Sequence, residues 1–185
     1  MRTRNGQIIS SWMRWIAAAI LAALLINNFL LVNATVMTGS MEETVMTGSR
    51  VFCNRLAYRW EEPRRFDVII FNFGQQGESS RYFKRVIGLP GETVEIVGGK
   101  VYIDGSPTPL PDPFVSEEPY GDYGPFEVPD ESYFVMGDNR NHSYDSKGWP
   151  DPYVKRGDIL GKAFLIYFPQ LKGFEDYNED QWRSM

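Results

Sequence analysis

The chain has 185 residues, enough for one domain with a sizeable core and a short anchor. A hydrophobic share of 43% with 15% aromatics excludes a disordered chain, and a net charge of −5 gives no reason to expect nucleic acid as a partner. The single cysteine excludes an internal disulfide.

The first element is apolar. Residues 15–32 are interrupted only by Asn27 and Asn28, and as a helix they span about 27 Å, close to the thickness of a bilayer core. The run is apolar all round rather than striped, which argues against the core helix of a soluble domain. Arg2, Arg4 and Arg14 precede it, and Glu42 and Glu43 follow. The positive-inside bias therefore predicts a cytoplasmic N-terminus at residues 1–14, a transmembrane anchor at 15–34 and an extracytoplasmic body at 35–171. A cleavable signal peptide is the rival reading, with Val32-Asn33-Ala34 as its cleavage site. The apolar run exceeds the roughly 7–15-residue core of such a peptide, which favours a retained anchor.

Beyond residue 35 the pattern changes to short strand-like runs between Gly and Pro. Residues 50–58, 66–73, 81–88 and Thr93–Val97 come first. Gly98-Gly99 is a hairpin signal, and 100–104 is the returning strand. Residues 105–131 hold seven prolines and read as a loop or small extension rather than sheet. Ser132–Met136 and Ile159–Phe168 resume the strand pattern, and residues 172–185 form a frayed acidic tail. No helical period is visible outside the anchor, so the body is expected to be all-β.

Chemistry needs a nucleophile, a base to activate it and donors for an oxyanion. Val36-Met37-Thr38-Gly39-Ser40 recurs as Val45-Met46-Thr47-Gly48-Ser49, too short for a structural repeat but enough to give two candidate nucleophiles, Ser40 and Ser49. Cys53 alternates with Val51 and reads as a small core residue, with no histidine near it to make a thiolate. The one histidine, His142, would have to serve any Ser-His-Asp triad, with Asp138 or Asp145 beside it; its polar run, 137–142, reads more simply as an exposed turn. Lysine is the other base for a serine, and it acts only as a free amine in desolvated surroundings. Lys84 suits this role, because alternation along 81–88 puts Tyr82, Lys84 and Val86 on one face. Spacing alone leaves a surface lysine open, since lysine is seldom buried.

These blocks resemble type I signal peptidases. Thr38-Gly39-Ser40-Met41-Glu42-Glu43-Thr44 is similar to the nucleophile box of that family, which lies just outside a membrane anchor, and residues 50–58 look like the strand that follows it. Phe66-Asp67-Val68-Ile69-Ile70-Phe71 resembles the next block, and Tyr82-Phe83-Lys84-Arg85-Val86-Ile87-Gly88 the box holding the general-base lysine. Gly137-Asp138-Asn139-Arg140-Asn141-His142-Ser143-Tyr144-Asp145-Ser146-Lys147 looks like the last box. The match runs over residues 15–168, with the motifs in family order.

The resemblance implies a compact antiparallel signal-peptidase-like β domain after one transmembrane helix, with residues 35–171 as the catalytic unit. It implies Ser40 as nucleophile and Lys84 as base. The Ser40 N–H and the Thr38 hydroxyl would form the oxyanion hole; Ser143 would hydrogen-bond the lysine amine, and Asp145 with Lys147 would brace the last box. Val36, Met37, Met41, Val45, Tyr82 and Phe83 match the walls of pockets for small side chains at the first and third residues before the cut. The implied partners are exported preproteins, cut after Ala-X-Ala-like sequences outside the cytoplasmic membrane, and membrane lipid; a monomer is expected. No metal cluster and no phosphate-cradling loop is legible, so neither metal nor cofactor is expected. Three positions depart from the family pattern. Thr38 replaces a serine and adds a methyl that restricts χ1. Glu43 replaces a proline, loosening the turn. Lys147 replaces an arginine and lacks its planar fork. Rival readings are a soluble self-cleaving Ser-Lys protease, a specialised peptidase for pilins or one substrate, and a catalytically dead anchored domain that binds exported proteins.

Overall fold

The computed structural model describes residues 4–75 and 78–174, so the first three residues and, of the tail expected at 172–185, residues 175–185 lie outside the described residues, whereas Lys172–Gly173 pair with Leu165 and Ile166 instead of fraying. The N-terminal helix α1 (Arg4–Leu25) is built largely from Ala, Ile and Leu and has no Gly or Pro after Gly6, as helix propensity favours. It ends in one wider turn at Ile26–Leu30, where the Leu31 N–H reaches back to the Ile26 carbonyl. Residues Trp12–Leu30 have a mean hydropathy of 1.7 and none of them is buried, and the segment meets the domain at its end, where the Leu30 carbonyl accepts from the Arg55 N–H at 2.9 Å.

The chain passes from this helix straight into sheet. The strands are β1 (Leu31–Thr35), β2 (Arg50–Asn54), β3 (Val68–Gln75), β4 (Glu78–Gly88), β5 (Thr93–Val97), β6 (Lys100–Ile103), β7 (Tyr123–Glu127), β8 (Ser132–Met136), β9 (Val154–Lys155), β10 (Ile159–Phe168) and β11 (Lys172–Gly173). A large sheet runs β1-β2-β10-β3-β4-β8-β9 with β11 beside β10, and a small sheet runs β6-β5-β7. Every pairing among the described residues is antiparallel. The β domain expected from sequence is thus present, behind its apolar helix.

The differences are local. Residues 31–34, expected as the end of the anchor, pair with 51–54 as part of the sheet. The strand expected to reach residue 58 stops at Asn54, whose side-chain oxygen accepts from the Leu56 N–H at 2.9 Å and starts a turn. The proline-rich stretch 105–131, expected as a loop or extension, contains β7. Pro125 is tolerated there because β7 is an edge strand, and a missing N–H on the open side costs no ladder bond.

Apolar side chains fill both faces of the large sheet, which explains the unbroken run Val68-Ile69-Ile70-Phe71. Val68 and Ile70 join Val32, Val51, Cys53 and Phe83 on one side, whereas Ile69 and Phe71 join Val86, Val135 and Trp149 on the other. A further cluster, Ile87, Val94, Ile96, Val101 and Phe134, ties the small sheet to the large one.

Candidate active site

Between β1 and β2 the chain makes a loop that holds both copies of the five-residue repeat. The copies close on each other: the Val36 N–H donates to the Ser49 carbonyl and the Gly48 N–H to the Val36 carbonyl, each at 2.9 Å. Ser40 sits on a single turn of 3₁₀ helix, Gly39–Met41, anchored by the fully buried Met41 among Val36, Val45 and Phe83. Asn139 pins this turn from across the domain. Its N–H donates to the Ser40 carbonyl and its side-chain amide to the Gly39 carbonyl, both at 3.1 Å.

Lys84 projects from β4 opposite Ile69, and its neighbours Tyr82 and Val86 belong to the same buried cluster. Its side chain is buried, 1% exposed, and Nζ is hydrogen-bonded to Ser40 Oγ. Burial lowers the amine from its ordinary 10.5 to about 8; Lys147 pushes the same way, while Asp145 and Asp138 pull back up. The Tyr82 ring centre lies 5.8 Å from Nζ. The Thr38 hydroxyl stands 3.2 Å from Ser40 Oγ.

The last sequence block folds against this pair. Asp145 is fully buried; Oδ2 accepts from the Gly137 N–H at 2.9 Å, and Lys147 Nζ reaches both carboxylate oxygens at 3.0 and 3.1 Å. Ser146 Oγ accepts from the Val135 N–H at 2.9 Å, tying the block to β8. Gly137 packs so tightly on the Ser143 hydroxyl and the Ser40 carbonyl that a methyl group would overlap both. The hydrogen bond expected from Ser143 to the lysine amine is not formed. Ser143 Oγ is buried without a partner among the described residues, because Nζ is turned onto Ser40 instead.

A cleft of about 460 Å³ opens at Ser40. Val36, Met37, Met41, Tyr82 and Phe83 line it, joined by Ala34, Thr35, Thr38, Ser80 and Arg81. Val45, expected in the wall, is fully buried in the cluster with Met41 and does not line the cleft. Glu43 takes a left-handed φ of 76°, which proline cannot adopt, so this turn follows another path than a proline turn rather than a looser version of it.

Sequence reasoning missed two supports. Arg85 Nε and Nη2 bind Asp138 at 2.8 and 2.6 Å inside the protein, and Asn139 clamps the nucleophile turn. Burial of both faces of β4 was the available clue to Arg85: an arginine next to a buried lysine in such a strand is itself buried and needs a carboxylate. The other candidates separate. His142 is exposed, and the carboxylates that would have to serve it are engaged by Lys147 and Arg85. The Ser49 side chain makes no hydrogen bond to Lys84 among the described residues. Cys53 lies in the core, its thiol pushed up to about 12 by burial.

A hydroxyl against a lysine held near its neutral form, with a second hydroxyl alongside and an open cleft in front, has the parts for acyl transfer. Comparison with known proteins gives the same direction. A family described as "Signal peptidase, peptidase S26" matches residues 9–168. The chain is 38% identical to signal peptidase I of Leptolyngbya laminosa, over 83% of this chain and 77% of that protein. It is 33% identical to signal peptidase I of Bacillus amyloliquefaciens, over 91% of this chain and 92% of that protein. A crystal structure of a signal peptidase I from Enterococcus faecalis, 34% identical, aligns with 55% of this chain and 97% of that one at a TM-score of 0.45.

Proposed function

The chain belongs to the signal peptidase I family, peptidase S26, and on that premise we propose that it removes signal peptides from exported preproteins with Ser40 as nucleophile and Lys84 as general base. The observation that carries this reading is the buried Lys84 amine hydrogen-bonded to Ser40 at the floor of the cleft. The neutral amine takes the Ser40 proton as Oγ attacks the carbonyl carbon before the cut. The oxyanion faces the Thr38 hydroxyl and the Ser40 N–H. The resulting ammonium returns its proton to the leaving amine, and water, activated by the same amine, then hydrolyses the ester. Asp145 and Lys147 hold the last block against this pair, and the apolar walls near Val36 and Phe83 suit small side chains at the first and third positions before the cut. The helix at Trp12–Leu30 anchors the enzyme by a single pass, with the N-terminus in the cytoplasm and the β domain outside.

One experiment tests the assignment: cleavage of a preprotein by full-length protein in detergent. Ser40→Ala abolishes product, whereas Ser49→Ala retains most of it, and leucine in place of alanine at the first position before the cut slows the wild type at least tenfold. A dead Ser49→Ala with an active Ser40→Ala overturns the assignment of the nucleophile.

A further inference from the structure

The cleft beside Ser40 is mostly apolar, with hydroxyls from Thr35, Thr38, Ser40, Ser80 and Tyr82, and it carries a charge at one place. Among the described residues that line it, Arg81 is the only one with a charged side chain, and it makes no ion pair or hydrogen bond among the described residues. It is exposed, and it stands on the length of β4 that pairs with β3 on one edge only, since β8 joins at Arg85. Ala34 and Thr35 of the edge strand β1 line the same cleft.

Geometry assigns this position to a part of the substrate, given the reading above. β1 comes directly out of the anchor helix and leads to Ser40, so the end of the cleft at Ala34 is the end nearer the membrane. The segment before the cut comes from the membrane and enters there. Arg81 is three residues along β4 from Lys84, about 10 Å at strand rise, which is three to four residues along an extended substrate. Side chains of an extended chain alternate. With the first and third residues before the cut directed into the small pockets, the fourth is free to meet the guanidinium.

We propose that Arg81 is a specificity residue that favours substrates with a carboxylate at the fourth residue before the cut and disfavours those with a cation there. An unpaired guanidinium at the rim of an apolar cleft keeps its water until a carboxylate replaces it, and such a rim pair changes affinity by up to about fivefold.

The test uses the full-length Ser40→Ala protein in neutral detergent and three peptides that differ only in Glu, Gln or Lys at the fourth position. Binding is read directly, so the outcome does not depend on whether the enzyme turns over. The expected order of affinity is Glu over Gln over Lys, reversed when Arg81→Glu is added and preserved with Arg81→Lys. Equal affinities for the three peptides overturn the proposal, as does an order that Arg81→Glu leaves unchanged. Binding that instead follows the fraction of anionic lipid added to the micelles, whatever the peptide charge, assigns Arg81 to a lipid headgroup and also overturns it. Failure of the wild type to cut any of the peptides, with the affinity order intact, refutes the proposed function and leaves the Arg81 assignment standing.

Discussion

A lysine among Ile69, Tyr82 and Val86 affects both rate and stability, and the two have related pH dependences. In the proposed mechanism the amine must be neutral to accept the Ser40 proton, and burial has brought it down to about 8. Rate should therefore rise with pH to half its plateau near pH 8, and Lys84→Arg should be inactive, because a guanidinium keeps its proton in this range. The stability sign follows from proton counting. The folded value lies below the unfolded one, so between about 8 and 10.5 the unfolded chain binds more protons and stability rises with pH; below 8 both states are charged and the penalty is constant. Lys84→Met should accordingly be inactive yet more stable at pH 7, by as much as about 3 kcal/mol in urea titrations. It should also lose the rise in stability above pH 8. Loss of stability on that substitution would show that the lysine is held by favourable charge interactions rather than by enforced burial. At Glu43 the left-handed backbone gives a smaller effect of the same kind. Glu43→Gly should stabilise by about 1 kcal/mol in the same titration, since glycine takes that conformation without strain, whereas Glu43→Pro should destabilise.

At the scale of elements, the site depends on a strand, a loop and a block that are distant in sequence. Asn139 joins two of them through the Gly39 and Ser40 carbonyls. Asn139→Ala should lower kcat at least tenfold, leave KM within about threefold, and cost roughly 1–2 kcal/mol of stability. An equal rise in KM would mean that the clamp shapes the cleft rather than the nucleophile turn. Legibility in the sequence follows the same division. Period-2 alternation was enough to put Lys84 with Tyr82 and Val86, because that pattern is local and is set by the strand itself. It also located the cores of most strands, since they are short apolar runs bounded by Gly and Pro. The Arg85–Asp138 pair joins residues 53 apart, and no local pattern encodes such a partner. β7 was hidden because Pro125 and the prolines around it argue against strand, and only its place on an edge makes Pro125 harmless. Val45 looked like a wall residue because it lies near Ser40 in sequence, but the loop buries it completely in the cluster with Met41, away from the lining of the cleft.

In the whole molecule the large sheet carries the Ser40 loop after β1, Lys84 on β4 and the last block beyond β8, so one packed structure holds all three. The apolar helix meets this sheet without a linker: its last turn ends at Leu30 and the first paired residue is Leu31. No more than ten peptide steps separate Leu30 from Ser40, about 35 Å if fully extended, and half of them are fixed in β1. With the proposed function and topology, the protein would behave as a ruler. It would read a preprotein at a set height above the lipid, so the spacing between the apolar part of a signal peptide and its cut site would become a condition for cleavage, separate from side-chain fit. A flexible six-residue Gly-Ser insert between Leu30 and Leu31 should leave cleavage of a short soluble peptide nearly intact. In vesicles the same insert should flatten the dependence of rate on that spacing across a series of preproteins, releasing one graduation of the ruler without touching its cutting edge.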